Sequence, residues 1–251
     1  MEEDQMSLVD HLGELRRRIM WVAAVLVVTM VAGFFIAVPA LDYLKSIPPA
    51  TGISWHALAP GDGIRVYFQF AFLFAVAVTL PFTLYHLWAF VKPGLREEEQ
   101  KATIKYIPFS VLLFLAGFSF AYFVVFRLAL AFTTSLNERM SLIETYGITQ
   151  YFTFMFNILL PVSLVFELPV VVMFLTKLRV LNPIRLRKLR RYSYLILVIL
   201  STLIAPPDLL SNLLIVLPLI ILYEISVVLS GRIYRRQLEQ DREWEEEYGP
   251  K

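Results

Sequence analysis

Four acidic sites in this chain have surroundings that give a carboxylate something to do. Glu14 lies in His11-Leu12-Gly13-Glu14-Leu15-Arg16-Arg17-Arg18, and Glu97-Glu98-Glu99 follow Phe90-Val91-Lys92-Pro93-Gly94-Leu95. Glu167 falls inside a long apolar run, flanked by Pro161 and Pro169, and Asp208 comes directly after Pro206-Pro207. A carboxylate at an aqueous face meets a guanidinium through a bidentate fork that lysine cannot reproduce, so two acidic sites on one face suit a pair of arginines. A carboxylate at mid-membrane is a different case. As a bare ion it would cost at least ~2.5 kcal/mol, so Glu167 is either neutral or faces a polar cavity.

Catalytic chemistry finds no footing. His11, His56 and His86 fall in an amino-terminal segment, a loop and an apolar stretch, and no two have metal-ligand spacing. The H-E-x-x-H, G-x-S-x-G and phosphate-loop patterns are all missing from the sequence. The residues therefore imply no enzyme, no metal and no cofactor.

Each acid also has a plainer reading. Leu8, Leu12, Leu15 and Ile19 form one apolar helical stripe, with Ser7 and Asp10 placed as a capping box. Glu14 then pairs with Arg18 on the solvated face of an interfacial helix, or else accepts a cationic partner. Glu97 to Glu99 either start the next helix at its positive dipole end or bind a ligand. Asp208 caps a helix, and Glu224 pairs with Arg232 or its neighbours.

The elements that must position these groups follow from composition. The 251 residues are 58% hydrophobic and 18% charged, with no cysteine, 23 Lys and Arg, and a net charge of +2. Mean hydropathy is +0.65. A water-soluble globular domain with this balance could not cover its surface, and disorder or a disulfide scaffold is excluded as well. Uncharged or nearly uncharged stretches predict six membrane helices, at about 19–38, 66–91, 106–126, 149–176, 192–205 and 209–229. Pro206-Pro207 turns the last two into a hairpin of short spans. Residues 1–18 form a cytoplasmic amphipathic segment and 230–251 a cytoplasmic tail, all within one membrane domain. The connections on the terminal side hold 19 of the 23 basic residues, which places both termini in the cytoplasm. The outer loops, about 39–65 and 127–148, are long enough for a small cap with proline-ordered turns.

These blocks together resemble the TatC family, the multispanning subunit of the twin-arginine (Sec-independent) protein translocase. The resemblance runs from His11 to Arg18, through Tyr85-His86-Leu87-Trp88-Ala89-Phe90, Pro93-Gly94-Leu95 and Glu99. It continues through Gly117 to Phe123, Phe166-Glu167-Leu168-Pro169, Ala205-Pro206-Pro207-Asp208 and Leu222-Tyr223-Glu224, covering about residues 8–230.

The resemblance implies an all-α membrane protein of six helices arranged as a concave cup, in the bacterial cytoplasmic membrane. It implies a receptor and scaffold for twin-arginine signal peptides of folded proteins, with TatA/TatB-type single-span partners, self-association, and export driven by the proton-motive force. Carried over by motif, Glu14 and Glu99 receive the arginines, while Arg16, Phe90, Pro93 and Leu95 shape that surface. Glu167, Asp208 and Asn212 fall to the intramembrane and partner contacts. Ala205 replaces a common threonine, Ser211-Asn212 stand where glutamine is frequent, and His86 replaces another glutamine. The first two changes bear on the partner surface. A proton- or ion-coupled small-solute transporter is the alternative, since it too would use a mid-membrane carboxylate and proline-broken helices. The absence of an internal repeat counts against it.

Overall fold

The computed structural model describes residues 8–94, 100, 103–204 and 209–248. All regular structure among them is helical, apart from one isolated bridge between His56 and Gly147. In chain order the helices are α1 (Leu8–Ser46), α2 (Asp62–Val91), α3 (Tyr106–Arg139), α4 (Ile148–Lys177), α5 (Pro183–Ile204) and α6 (Leu209–Tyr248). Among the described residues, all but α5 contain a stretch long and apolar enough to cross a membrane. α5 opens with Arg185, Arg187, Lys188, Arg190 and Arg191, so only its second half is apolar.

The helices outrun their uncharged stretches. α1 passes unbroken from the amphipathic segment into the span and on to Ser46, and α6 carries the tail as helix to Tyr248. α5 begins at Pro183, where proline suits the first helical turn, well before the uncharged run at Tyr192. The two loops expected on the outer side shrink accordingly, to about 47–61 and 140–147. Charged residues halt a hydropathy reading, yet Arg, Lys and Glu are good helix formers and halt no helix.

The chain divides into two compact units, Met1–Gln100 with Glu144–Phe156, and Lys101–Ile143 with Asn157–Lys251. The first is built on the α1–α2 pair. Between membrane helices apolar burial supplies no driving force, so close backbone approach and side-chain hydrogen bonds hold the pair. A Cβ on Gly33 would lie 2.9 Å from Cα of Ala71, so only glycine admits this approach. Thr29 and Thr79 share a hydrogen bond of 3.0 Å, and Phe34 meets Phe68 edge to face at 4.8 Å.

At the loop end of this unit, Trp55 stacks on Phe152 and meets Tyr151 edge-on. The His56 carbonyl accepts the amide of Ile148 at 2.9 Å. Asp62, only 5% exposed, accepts the amides of Leu58 at 2.7 Å and Ala59 at 2.9 Å, while Thr149 donates to its backbone carbonyl. These bonds give the ordered cap that the loop prolines suggest.

In the second unit, α3 is α-helical over Tyr106–Phe120 and Arg127–Arg139, with a π-helical stretch Ala121–Phe126 between. No residue pattern marks that stretch, which turns Ala121, Tyr122, Val125 and Phe126 all into the interior. α4 runs as helix over Ile148–Val165 and again over Leu168–Lys177. The break at Phe166-Glu167 has a local cause, because Pro169 has no N–H for the Val165 carbonyl one turn back. Pro161, by contrast, stays inside its helix. α4 and α5 both pack on α6, with Thr176 and Ser230 hydrogen-bonded at 2.8 Å and the Tyr223 hydroxyl donating to the Leu186 carbonyl at 2.9 Å. Arg179, in the left-handed region at φ 59°, ends α4 and grips Asp241 of α6 through two bonds of 2.7 and 2.8 Å.

The cap has a pH signature. The Ala59 amide, against the opposing effect of burial, holds the Asp62 carboxyl below its ordinary value, with further help from Thr149, Leu58 and Arg65. A depressed folded pKa contributes stability above the unfolded pKa and loses it as pH falls through the folded one. The thermal midpoint of the wild type should therefore exceed that of Asp62→Asn by a constant margin from neutral pH down to about pH 5, and the margin should shrink at more acid pH. A margin that stays constant into strong acid would exclude the ionised carboxylate as its source.

Candidate functional site

The helical spacing of Glu14 and Arg18 places both on one face of α1, where they form an ion pair. Arg18 Nε donates to Glu14 Oε1 at 2.9 Å, and its Nη2 reaches the same oxygen. Nη2 also donates to the Ala89 carbonyl at 3.1 Å, in the last turn of α2. Carbonyls at a helix C-terminus lack intrahelical partners and favour a cation, so α2 anchors this arginine. The geometry leaves Glu14 Oε2 without a partner among the described residues, on a side chain 26% exposed. Arg16 and Arg17 are exposed beside it.

Arg18 also rims a cleft of about 140 Å³ between α1 and α2, walled by Ile19, Val22, Leu87 and Phe90. His86 lines it too, its ring 4.3 Å from that of Phe82 and its Nδ1 buried without a partner. Beyond Phe90 the chain tightens into a 3₁₀ turn, Lys92–Gly94, with Lys92 Nζ 5.5 Å over the Trp88 ring and Pro93 exposed. Glu14, Arg16, Phe90 and Pro93 thus share one end of the α1–α2 pair. Leu95, Glu99 and Asp208 lie outside the described residues, as do Glu97 and Glu98 as helix starters and Ala205 to Pro207 of the hairpin turn.

Glu167 occupies the break in α4 and is 5% exposed. Its Oε2 accepts the Ser110 hydroxyl of α3 at 2.6 Å, whereas Oε1 is buried with no partner. Nothing in the sequence singled out Ser110, one serine in an uncharged run. Close packing fixes the geometry, since a Cβ on Gly117 would sit 2.7 Å from Cβ of Phe166. That contact gives the glycine of the Gly117–Phe123 block a steric reason.

One acid and one amide of α6 join it to α5. Glu224 does not pair with Arg232 or its neighbours. It accepts Arg190 Nη2 and the Tyr194 hydroxyl, each at 2.5 Å, because antiparallel packing brings α5 closer than the next turns of α6. Asn212 accepts from Ser201 at 2.6 Å and donates to Thr202 at 3.1 Å, so both its polar groups are engaged inside the hairpin. Among the described residues no group of His, Asp and Glu could hold a metal.

The half-satisfied Glu167 makes a testable pair with Ser110. Ser110→Ala strips the remaining partner from a buried carboxyl and should lower stability by about 1–3 kcal/mol, whereas Ser110→Ala with Glu167→Leu should recover most of that loss. Denaturant unfolding in detergent reads both. Equal losses in the single and double variants would show that the hydrogen bond is not what couples them.

Comparison with known proteins finds one family throughout. Residues 10–218 match the family described as Sec-independent protein translocase protein (TatC). The chain is 45% identical over 248 residues to the Sec-independent protein translocase protein TatC of Halalkalibacterium halodurans, covering 99% of this chain and 98% of that one. It is 43% identical over 236 residues to TatCy of Bacillus subtilis, covering 94% and 93%. Among solved structures, a crystal structure of the twin arginine translocase receptor TatC in DDM superposes with a TM-score of 0.76 at 29% identity. That alignment covers 88% of this chain and 99% of the other.

Proposed function

The chain belongs to the TatC family of Sec-independent protein translocase proteins, and from that premise we propose that it is the receptor and scaffold subunit of a twin-arginine translocase. It is a multi-pass membrane protein and a component of protein transport, not an enzyme. In this reading it lies in the bacterial cytoplasmic membrane with both termini cytoplasmic. There it binds twin-arginine signal peptides of folded cargo and recruits TatA/TatB-type single-span partners for export driven by the proton-motive force. Membership of a translocase family removes the small-solute transporter alternative.

The observation that carries the reading is the open oxygen of Glu14. Arg18 occupies only Oε1, and the Ala89 carbonyl keeps that guanidinium in place. An incoming guanidinium can therefore bond Oε2 without first evicting Arg18, and a carboxylate shared by two arginines is left with net positive surroundings. A second carboxylate would offset that charge, and Glu99 is the proposed one. Arg16, Phe90, Pro93 and Leu95 are proposed to shape the surface around the two acids. Glu167 is proposed to serve the signal peptide or a partner helix inside the membrane, with Asp208 and Asn212 at the outer end of the partner surface.

The test is binding of an Arg-Arg signal peptide, and of its Lys-Lys counterpart, to the detergent-solubilised protein. A guanidinium brings five donors in a fixed plane and sheds water more readily than a compact ammonium, so the Lys-Lys peptide should bind about tenfold or more weakly, and Glu14→Gln and Glu99→Gln should each weaken the Arg-Arg peptide by a similar factor. Equal binding of the two peptides, or full affinity in both variants, would overturn the assignment.

A further inference from the structure

We propose that one face of α6 is a binding site for a single anionic phospholipid of the surrounding bilayer, with the lipid phosphate at Arg232. A groove of about 430 Å³ runs along this face, walled by Ile221, Ile225, Val228 and Leu229 and ending at Arg232. From Ile220 to Arg232 it extends about 18 Å at 1.5 Å per residue, close to the ~15 Å depth of one leaflet of a 30 Å core. An apolar trough one leaflet deep, with a guanidinium at one end, matches a phospholipid in length and polarity.

Two details point to an occupant at the charged end. Arg232 is exposed and makes no hydrogen bond or ion pair among the described residues. Gly231 beside it has no heavy atom within 4 Å of the place a Cβ would take. Glycine is among the least favoured residues in a helix interior, and at Gly33 and Gly117 close packing accounts for it. Gly231, like Gly13 of α1, has no such neighbour, and beside Arg232 the open space is where a headgroup would lie.

The charge balance agrees. Glu224, the groove's own acid, has one oxygen taken by Arg190 and the other by Tyr194, so it leaves no unpaired anion to repel a phosphate. The Tyr223 bond to Leu186 keeps the basic half of α5 alongside, where Arg187, Lys188 and Arg191 are exposed. No unsatisfied polar group lines the walls to recognise a peptide backbone or side chain. The proposal uses the cytoplasmic placement of the tail given above but not the signal-peptide site, so peptide binding and lipid binding can fail separately.

Native mass spectrometry of the full chain, released from detergent with dioleoyl phosphatidylglycerol or dioleoyl phosphatidylcholine, reads the site directly. Phosphatidylglycerol should be retained at one copy in preference to phosphatidylcholine, and Arg232→Gln should reduce that retention about fivefold. Gly231→Leu keeps the charge and fills the headgroup space, so it should reduce retention too. Arg242→Gln, about 15 Å farther along the helix, should leave it unchanged. Undiminished retention in Arg232→Gln and Gly231→Leu would overturn the proposal. Equal loss in Arg242→Gln would do so as well, by showing a diffuse attraction to the basic tail rather than a site.

Discussion

A hydrocarbon bilayer offers no hydrogen-bond partner, and that constraint organises this molecule. Each backbone polar group in the core must be satisfied within its own helix, so helices run long and unbroken wherever proline permits. Between helices, burial of apolar surface adds nothing that lipid would not. Contacts depend instead on glycines that admit a backbone or a ring, Gly33 against Ala71 and Gly117 against Phe166. Short polar bridges do the rest, through Thr29 with Thr79, Thr176 with Ser230, and Ser201 with Asn212. In these bridges small hydroxyls and amides satisfy one another, where charged groups would have to be stripped of water.

The same constraint decides how much was legible in the sequence. Spans showed as uncharged stretches because charge is what the core excludes, and the helix count and fold class follow from them. Helix ends were hidden, since nothing in Arg185 to Arg191 or Arg232 to Glu247 discourages a helix outside the core. The break in α4 was readable at Pro169, whose missing N–H acts locally. The partner of Glu224 was not, because Arg190 precedes it by 34 residues and only tertiary packing brings them together. Ser110 and Glu167 are 57 residues apart and were hidden for the same reason.

The Glu14 region shows how far spacing alone reaches. An i, i+4 pair of opposite charge was legible, and the ion pair with Arg18 is present. What spacing could not supply is the third member, the Ala89 carbonyl 71 residues away, which holds the guanidinium to one side of the carboxylate. That backbone contact turns an ordinary surface pair into an acid with one oxygen committed and one open. The two readings of Glu14 are compatible, since the pair with Arg18 uses one oxygen and leaves the other for the proposed acceptor role.

α6 continues as helix for 30 residues past Pro218, about 45 Å of uninterrupted rod. Its inner half lies among apolar neighbours and its far half extends into the tail, so the rod is a lever. A tilt of a few degrees at the membrane end would sweep the far end by about 2–3 Å, a displacement large enough to break a hydrogen bond. The Arg179–Asp241 clamp sits far along that arm, where a modest force has the greatest moment, and Gln237 adds a bond to the Lys177 carbonyl. The angle of the last membrane helix is thus set partly from beyond its apolar stretch, by two polar contacts at the end of α4.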